Sequence, residues 1–436
     1  MNLPRRRMLA TAALAGVAGV HGRSGAIVGD AWGPGARLTA DFEPQAAMWL
    51  GHDAGHADFT GDLAVALHPH LPLKVLVRDD AAEADARALL ALRGVPAERV
   101  RYVQHAQALF FVRDAAVFGL DAAGGLAVTD FRWTHYGWAT WCHRRHAGDP
   151  AAAARCADAD ERPPDALDRD LADRIGASVF RSPLAMEGGG MEVNGQGVLI
   201  ANEALWTSRN PGLGRARIES ELRRLPGIRK VIWLPAGLAQ DPLHRATVVG
   251  RHVAWGTGGH TDEFVRFADP RTVLLAWPDA DEAARHPVSR LNLQRMQRNH
   301  AILSRATDVQ GRPLRVLKLP LPRIVERRVF LSAGADTAFS REWTAESFPA
   351  RERRRQGDWV MQVASSSYLN FVLANGLVLL PDYRPHGTPA ALQDRVQQVV
   401  QAAFPGRTLS FVDAIGANWV GGGAHCATLS EPPTRG

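Results

Sequence analysis

A strand–helix–strand unit recurs along the chain, and this repeat constrains the fold more than any other feature. One copy has an apolar run at 198–201, a helix predicted over 215–225, a Pro226-Gly227 break and a second apolar run at 230–234. A second copy has the same order at 377–380, 390–403, Pro405-Gly406 and 408–412, and strands at 264–267, 273–276 and 315–319 with a helix over 287–307 form a third. The alternation predicts an α/β fold class. Built from repeats, a chain of 436 residues can remain one domain, although a doubly wound sheet produces the same alternation.

The two ends of the chain differ in character from this repeat. Residues 1–26 contain Pro4-Arg5-Arg6-Arg7 and then a weakly apolar Ala/Gly-rich run, which is typical of a twin-arginine export signal, and 27–40 have the low periodicity of a linker. A disordered basic tail is the alternative for the first segment. A single domain is predicted from 41 to 436, with an irregular insertion at 138–168.

Charge and hydropathy exclude two classes of partner. The formal net charge of +6 comes from arginines spread along the chain, whereas nucleic-acid binding needs a localised basic face. The apolar run near the N-terminus is too short for a transmembrane helix, which needs about 20 apolar residues. We therefore expect a periplasmic or secreted protein with neither a nucleic-acid nor a membrane partner, and the sequence leaves its oligomeric state open.

The three cysteines fit an exported protein. Cys142 and Cys156 flank a short loop and can pair in an oxidising compartment. Cys426 is then the unpaired thiol. An isolated cysteine is usually a small buried hydrophobe, but this one lies beside His425 and follows three glycines, which let the backbone approach a ligand closely.

Three further segments place acids and a histidine on glycine-rich or strand-end loops. Asp114 follows Arg113, Glu187 precedes three glycines, and His260 and Asp262 are two positions apart, so they face the same side of an extended segment. Each has a plain alternative: a surface ion pair, a turn acid in water, or a metal pair. No HExxH or CxxC motif accompanies them, so no metal site is predicted.

Five short motifs in one order resemble the agmatine deiminase and Porphyromonas-type peptidylarginine deiminase family. They are Arg113-Asp114, Glu187-Gly188-Gly189, His260-Thr261-Asp262-Glu263-Phe264, Ser367-Tyr368-Leu369-Asn370-Phe371 and His425-Cys426-Ala427-Thr428. Phe42-Glu43-Pro44 with Trp49-Leu50 extends the resemblance over nearly the whole chain from about residue 40. It implies a five-bladed α/β propeller (pentein) of strand–helix–strand units around a central site, in agreement with the repeat.

The resemblance also implies a role for each motif. Cys426 would be the nucleophile and His260 the general acid/base, with Glu187 a further catalytic acid near the imidazole. Asp114 and Asp262 would bind the guanidinium, and Asn370 would also bind the substrate. Two carboxylates can accept paired N–H bonds from a planar guanidinium, and a positive substrate favours the reactive thiolate. This chemistry requires no cofactor.

The implied activity is that of a hydrolase acting on the C–N bonds of linear amidines, through a covalent cysteine thiouronium. Agmatine deiminases usually have Thr-Gly-Pro where this chain has Ala115-Ala116-Val117, and an Asn-Ile pair before His-Cys that this chain lacks. The Glu263-Phe264 pair after Asp262 is closer to peptidylarginine deiminases. Peptidyl-arginine is therefore the expected substrate, with agmatine, giving N-carbamoylputrescine, as the alternative. An amidinotransferase and a non-catalytic guanidinium-binding protein are the remaining hypotheses.

Overall fold

The computed structural model describes residues 33–158, 167–334, 342–352 and 354–435. The strands are β1 (Arg37–Leu38), β2 (Ala47–Gly51), β3 (Leu73–Val77), β4 (Val100–Gln104), β5 (Val117–Leu120), β6 (Leu126–Arg132), β7 (Ser178–Ala185), β8 (Met191–Val193), β9 (Val198–Asn202), β10 (Lys230–Leu234), β11 (Leu243–Val249), β12 (His252–Thr257), β13 (Val265–Phe267), β14 (Thr272–Trp277), β15 (Arg315–Pro320), β16 (Glu326–Phe330), β17 (Trp359–Val363), β18 (Val372–Ala374), β19 (Leu377–Pro381), β20 (Thr408–Val412) and β21 (Thr428–Glu431). The helices are α1 (Ala57–Leu67), α2 (Asp80–Leu92), α3 (Trp138–Arg145), α4 (Pro150–Asp158), α5 (Leu167–Ile175), α6 (Glu203–Arg209), α7 (Arg215–Leu222), α8 (Ala280–Arg285), α9 (Pro287–Leu303), α10 (Ala390–Ala403) and α11 (Ile415–Asn418). Within these described ranges no helix combines the length and apolarity needed to cross a bilayer.

Five sheets share one topology. In each, a short outer strand pairs antiparallel with a central strand, and a helical connection leads from the central strand to a third strand that lies parallel to it. The outer, central and third strands are β21-β2-β3, β5-β6-β7, β8-β9-β10, β13-β14-β15 and β18-β19-β20. The α/β prediction is confirmed, and three of these five units are the three predicted from sequence.

The unit at β18–β20 shows why the sequence folds this way. β19 is an entirely buried apolar run, as expected for a central strand covered on both faces. α10 buries Leu392, Val396 and Val400 on one side, a spacing of four residues that places them on one helix face. Gly406 has a φ of +82°, a value that glycine adopts readily, and its turn leads the chain into β20.

A sixth sheet departs from the repeat. Its order is β11-β12-β17-β16, so strands that are more than a hundred residues apart in the chain lie side by side. Thr257 is the last residue of β12 in this sheet, directly before the glycines that lead to His260. It therefore supports one of the loops on which the predicted site depends.

Two of the domain predictions need correction. The predicted linker 27–40 is structured over its described part, because Arg37–Leu38 pair with β5 and Leu38 is buried. The insertion at 138–168 is not irregular: its described residues form α3 and α4 and reach the start of α5. A two-residue strand has no periodicity to detect. The short helices of the insertion are held by a disulfide between Cys142 and Cys156, a pairing that the sequence allowed and left open. The predicted signal, residues 1–26, lies outside the described residues.

Candidate active site

The predicted site residues occupy equivalent places in the five units. Each lies in the loop directly before the outer strand of its unit, and three of these loops contain 3₁₀ turns, at Val112–Ala115, Gly188–Gly190 and Thr261–Glu263. Asp114 precedes β5, Glu187 precedes β8, His260 and Asp262 precede β13, Asn370 precedes β18, and Cys426 precedes β21. The repeat thus places all six side chains on matching loops.

Cys426 is a buried free thiol surrounded by polar groups. The Nδ2 atom of Asn370 lies 3.2 Å from its Sγ atom, and the nearest carboxylate oxygens are those of Asp262 at 3.6 Å and Glu263 at 4.0 Å. Burial, followed by the charges of Asp262 and Glu263, raises the pKa of the Cys426 thiol well above its ordinary value. The sulfur is therefore not packed among aliphatic side chains, and its thiolate needs a nearby positive charge.

His260 is held by a buried ion pair. Its Nε2 atom lies 3.2 Å from Oε2 of Glu187, and the other oxygen of Glu187 accepts a hydrogen bond of 2.7 Å from Nε of Arg209, whose side chain is also buried. Burial opposes ionisation of Glu187, but Arg209 and His260 lower the pKa of this carboxyl to about 2. Burial likewise opposes the charge on His260, but Asp114 and Glu187 raise the pKa of the imidazole to about 9.

This geometry refines the predicted role of Glu187. A carboxyl group with a pKa of about 2 stays ionised near neutral pH, so Glu187 orients the imidazole and supports its positive charge. The Nδ1 atom of His260 is buried and has no hydrogen-bond partner among the described residues. Nδ1 is therefore the ring nitrogen that Glu187 does not engage.

Asp114 is fixed through both of its oxygens. Oδ2 accepts a hydrogen bond of 2.9 Å from the Tyr136 hydroxyl, and Oδ1 accepts one of 3.1 Å from the backbone N–H of Gly189. Burial is the main cause that raises the pKa of Asp114 to about 6, with Glu187 adding to the shift and His260 opposing it. Asp114 is thus not the surface partner of Arg113 that the sequence allowed. Arg113 is buried and pairs with Asp41 instead.

Asp262 lies at the end of a second buried chain of hydrogen bonds. Its Oδ2 atom is 2.7 Å from Nδ1 of His425, and Nε2 of His425 is 2.7 Å from Oδ2 of Asp41. Although burial opposes ionisation, the hydrogen bond and charge of His425 hold the pKa of Asp262 below its ordinary value. The other oxygen, Oδ1, is buried without a hydrogen-bond partner in the described part of the chain, as is Oε2 of Glu263. Both have acceptor capacity for the N–H groups of a cationic ligand, and burial, followed by the charge of Asp262, raises the pKa of Glu263 well above its ordinary value.

A cavity of about 610 Å³ borders the site at Asp114. Asp114, Tyr136 and Gly188 line it on the side of the site, and Phe110, Phe111, Trp133 and Trp255 contribute aromatic surface. Its volume lies within the range of about 300–1,000 Å³ that is typical of ligand pockets. A planar cation at Asp114 would therefore have its alkyl chain between aromatic walls.

The same groups offer one candidate set for a metal ion. Ligand atoms of Asp262, Glu263 and Cys426 lie within 4.8 Å of one another. The amide of Asn370, however, also points its Nδ2 atom at Oε1 of Glu263, 3.0 Å away. An N–H donor directed at this carboxylate suits an anion-lined organic site better than a metal centre, and the predicted absence of a metal stays a prediction.

The structure brings all six predicted residues into this one region and adds others that sequence reasoning missed. These are Arg209, Tyr136, His425, Asp41 and Glu263. His425 and Glu263 adjoin predicted residues in the chain, and this adjacency was the available signal for them. Nothing in the sequence separates Arg209 or Tyr136 from the other arginines and aromatic residues.

Comparisons with known proteins show what this chain is similar to. A family model described as Porphyromonas-type peptidyl-arginine deiminase matches residues 32–432. The chain is 31% identical over 353 residues to the agmatine deiminase of Stutzerimonas stutzeri, covering 80% of this chain and 82% of that protein. It is 28% identical over 413 residues to a putative agmatine deiminase of Streptomyces coelicolor, covering 91% and 99% of the two chains.

Solved structures share the fold. The agmatine deiminase of Enterococcus faecalis superposes with a TM-score of 0.66 at 22% identity, covering 91% of this chain and 96% of that one. A putative arginine deiminase from Porphyromonas gingivalis superposes with a TM-score of 0.62 at 21% identity, covering 92% and 100%. At these identities the likeness concerns the fold alone.

Proposed function

Because this chain belongs to the Porphyromonas-type peptidyl-arginine deiminase family and is a hydrolase acting on amidine C–N bonds, we propose that it deiminates a small guanidino compound of the agmatine type. The products are ammonia and a ureido compound, which for agmatine is N-carbamoylputrescine. The observation that carries the proposal is the position of the Cys426 sulfur, which lies 3.6 Å from a buried carboxylate oxygen of Asp262. A thiol whose nearest charged neighbours are the acids Asp262 and Glu263 is suited to a cationic electrophile.

The reaction begins with the guanidinium bound between Asp114 and Asp262. Charge-assisted bonds from its N–H groups fix its plane, and its positive charge lowers the pKa of the Cys426 thiol that the empty site holds high. The thiol proton passes to solvent as the cation binds, and the resulting thiolate attacks the central carbon and forms a tetrahedral adduct. This step is favoured when sulfur and carbon are already oriented.

His260 then carries the proton transfers. With a pKa of about 9 it is protonated near neutral pH, so it can donate a proton to the departing nitrogen as the C–N bond breaks and ammonia leaves. A covalent thiouronium on Cys426 remains. The imidazole, now neutral, accepts a proton from water as that water attacks the thiouronium carbon, and collapse of the second adduct releases the ureido product and the cysteine.

The sequence motifs favoured peptidyl-arginine as the substrate. The proposal instead takes agmatine. Two relatives that align over most of their length are named agmatine deiminase or putative agmatine deiminase, and the aromatic cavity walls suit an unbranched alkyl chain. Peptidyl-arginine remains the second candidate because the cavity, at about 610 Å³, has room for more than a short chain.

A ureido-product assay separates the two substrates. Agmatine, free arginine and a blocked arginine peptide are supplied to the wild-type chain and to Cys426→Ala. The proposal expects the highest kcat/KM with agmatine and no turnover by the variant. A preference for the peptide would replace agmatine by peptidyl-arginine, and absence of ureido product from all three would refute the deiminase proposal.

Two further proposals concern architecture and location. We propose that the five units are blades arranged around the site, since each contributes the loop before its outer strand to it.

Export by the twin-arginine route is supported by Arg5-Arg6-Arg7 and by the Cys142–Cys156 disulfide. Cell fractionation tests the route: replacing these arginines with lysine should retain the protein in the cytoplasm, whereas unchanged export would contradict it.

A further inference from the structure

The segment between β6 and β7, which continues from Tyr136 into the predicted insertion at 138–168, contacts the site through the Tyr136 side chain. Its hydroxyl donates the 2.9 Å hydrogen bond to Oδ2 of Asp114. Its ring centroid lies 6.1 Å from that of His260, and Trp133 packs against it edge-on at 4.9 Å. Tyr136 is therefore between the acid that would bind the guanidinium and the wall of the cavity.

The backbone that presents Tyr136 has an unusual conformation. His135 and Tyr136 have φ values of +50° and +58°, which residues with a Cβ atom rarely adopt. Gly137 follows with φ +75°, and a Cβ there would lie 2.8 Å from Nη1 of Arg209. Such a conformation persists where the surroundings determine it, and it concentrates at functional sites.

The rest of the insertion provides those surroundings. Trp141 donates through Nε1 to the backbone oxygen of Arg245 at 3.0 Å, and Thr140 donates to the backbone oxygen of Ser208 at 2.8 Å. The Cys142–Cys156 disulfide joins α3 to α4. Thr140 and Trp141 thus fasten the start of the insertion to α6 and β11, just after Tyr136 in the chain.

We infer that Tyr136 is a positioning residue for the reaction, whose hydroxyl holds the Asp114 carboxylate in place for the guanidinium, and that the disulfide-linked insertion is the support that presents it. This inference rests on the proposed function. With Gly189 fixing one oxygen and Tyr136 the other, the Asp114 carboxylate cannot rotate away from the site. A donor aimed at the carboxylate also favours its charged form, which opposes the effect of burial on Asp114.

Tyr136→Phe in the full chain tests this role, because it removes one oxygen and keeps the ring. Loss of one hydrogen bond to a charged group is worth about a tenfold change. We therefore expect KM for agmatine to rise about tenfold with a much smaller change in kcat, and the acidic limb of kcat/KM to move to higher pH. Tyr102→Phe is the matched control, since Tyr102 lies on β4 beneath Arg87, and it should leave both parameters unchanged.

Removal of the Cys142–Cys156 disulfide tests whether the insertion holds Tyr136 in place. The double variant Cys142→Ala, Cys156→Ala should raise KM in the same direction while keeping the wild-type circular dichroism spectrum. Wild-type KM and an unmoved acidic limb in Tyr136→Phe would overturn the role of Tyr136. Wild-type KM in the folded double variant would overturn the role of the insertion.

A binding measurement keeps this inference separate from the proposed function. Calorimetry of agmatine with Cys426→Ala, with and without Tyr136→Phe, needs no turnover and should show about tenfold weaker binding in the double variant. Weaker binding together with a wild-type chain that releases no ureido product would refute the deiminase proposal alone. Equal binding by the two variants would refute the inference about Tyr136, whatever the wild-type chain turns over.

Discussion

The Sγ atom of Cys426 lies 3.6 Å from Oδ2 of Asp262, so the proposed nucleophile rests against a buried carboxylate. Asp262, Glu263 and Asp114 all act on the thiol in the same direction as burial and raise its pKa. The free site consequently protects the thiol from ionisation. A bound cation reverses this effect, and reactivity of the cysteine should depend on the charge of the reagent that approaches it.

Alkylation of Cys426 measures this dependence. We expect 2-chloroacetamidine, whose planar amidinium cation carries two of the three guanidinium nitrogens, to inactivate the chain at least about tenfold faster than neutral 2-chloroacetamide at pH 7, a difference of roughly 1.4 kcal/mol. Cys142 and Cys156 are joined in a disulfide, so one label per chain is expected and none on Cys426→Ala. Equal rates of inactivation by the two reagents would contradict the claim that buried acids surround the Cys426 sulfur.

The pH dependence of kcat/KM should be bell-shaped. Asp114 has a pKa raised to about 6, so below that pH it is protonated and loses its charge-assisted bond to the substrate. His260 has a pKa raised to about 9, so above that pH it lacks the proton for the departing ammonia. Because kcat/KM reports groups of the free enzyme, the limbs should fall near these two values. A profile that rises continuously through pH 10 would contradict the role of His260.

Glu187→Gln should move the alkaline limb and destabilise the fold. Glu187 is one of the charges that raise the pKa of His260, so its neutralisation should shift that limb to lower pH. The variant also leaves Arg209 buried without its ionic partner, which typically costs about 3–5 kcal/mol. Urea denaturation and the kinetic pH profile measure the two effects.

A matched control for this change is Glu43→Gln. Glu43 pairs with Arg37, whose side chain is 36% exposed, and pairs of this kind contribute about 0–1 kcal/mol. The free energy of unfolding of Glu43→Gln should be close to that of the wild type. Equal stability of Glu187→Gln and Glu43→Gln would contradict the importance assigned to the buried pair.

Gly189→Ala should disturb the site while retaining every functional group. A Cβ at this position would lie 2.5 Å from Nδ1 of His260 and 3.2 Å from Oδ2 of Asp262, so the imidazole has to move. Displacement of a catalytic group by about 1 Å can cost about a hundredfold in rate, and we expect a fall of that order in kcat. At Gly416 a Cβ meets nothing within 4 Å, so Gly416→Ala should keep wild-type kinetics. Wild-type kinetics in both variants would show that His260 does not act from this position.

The sequence predicted the α/β class because three units lie uninterrupted in the chain. The other two units escaped detection for topological reasons. One takes its outer strand, β21, from the C-terminus and pairs it with β2, and the other has its central and third strands, β6 and β7, separated by the insertion. A repeat search follows the order of the chain, so it misses a unit whose strands are not consecutive.

The site residues were predictable to the extent that they lie in short motifs. Cys426, His260 and Asp262 follow glycines or each other closely, and order along the chain identifies them. The pairing of Arg209 with Glu187 arises only in the folded chain. In a sequence rich in arginine, nothing local marks the arginine that will pair with this buried acid. The same holds for Tyr136, which reaches Asp114 only because the insertion folds back onto β11 and α6.

Acid quenching of the wild-type chain during turnover of agmatine, followed by mass spectrometry of the peptide that contains Cys426, tests the central claim most directly. The account predicts that a fraction of this peptide carries an added mass equal to agmatine minus ammonia, and that Cys426→Ala carries none and releases no ammonia. An unmodified Cys426 peptide from the wild type, together with ammonia release that persists in Cys426→Ala, would contradict it.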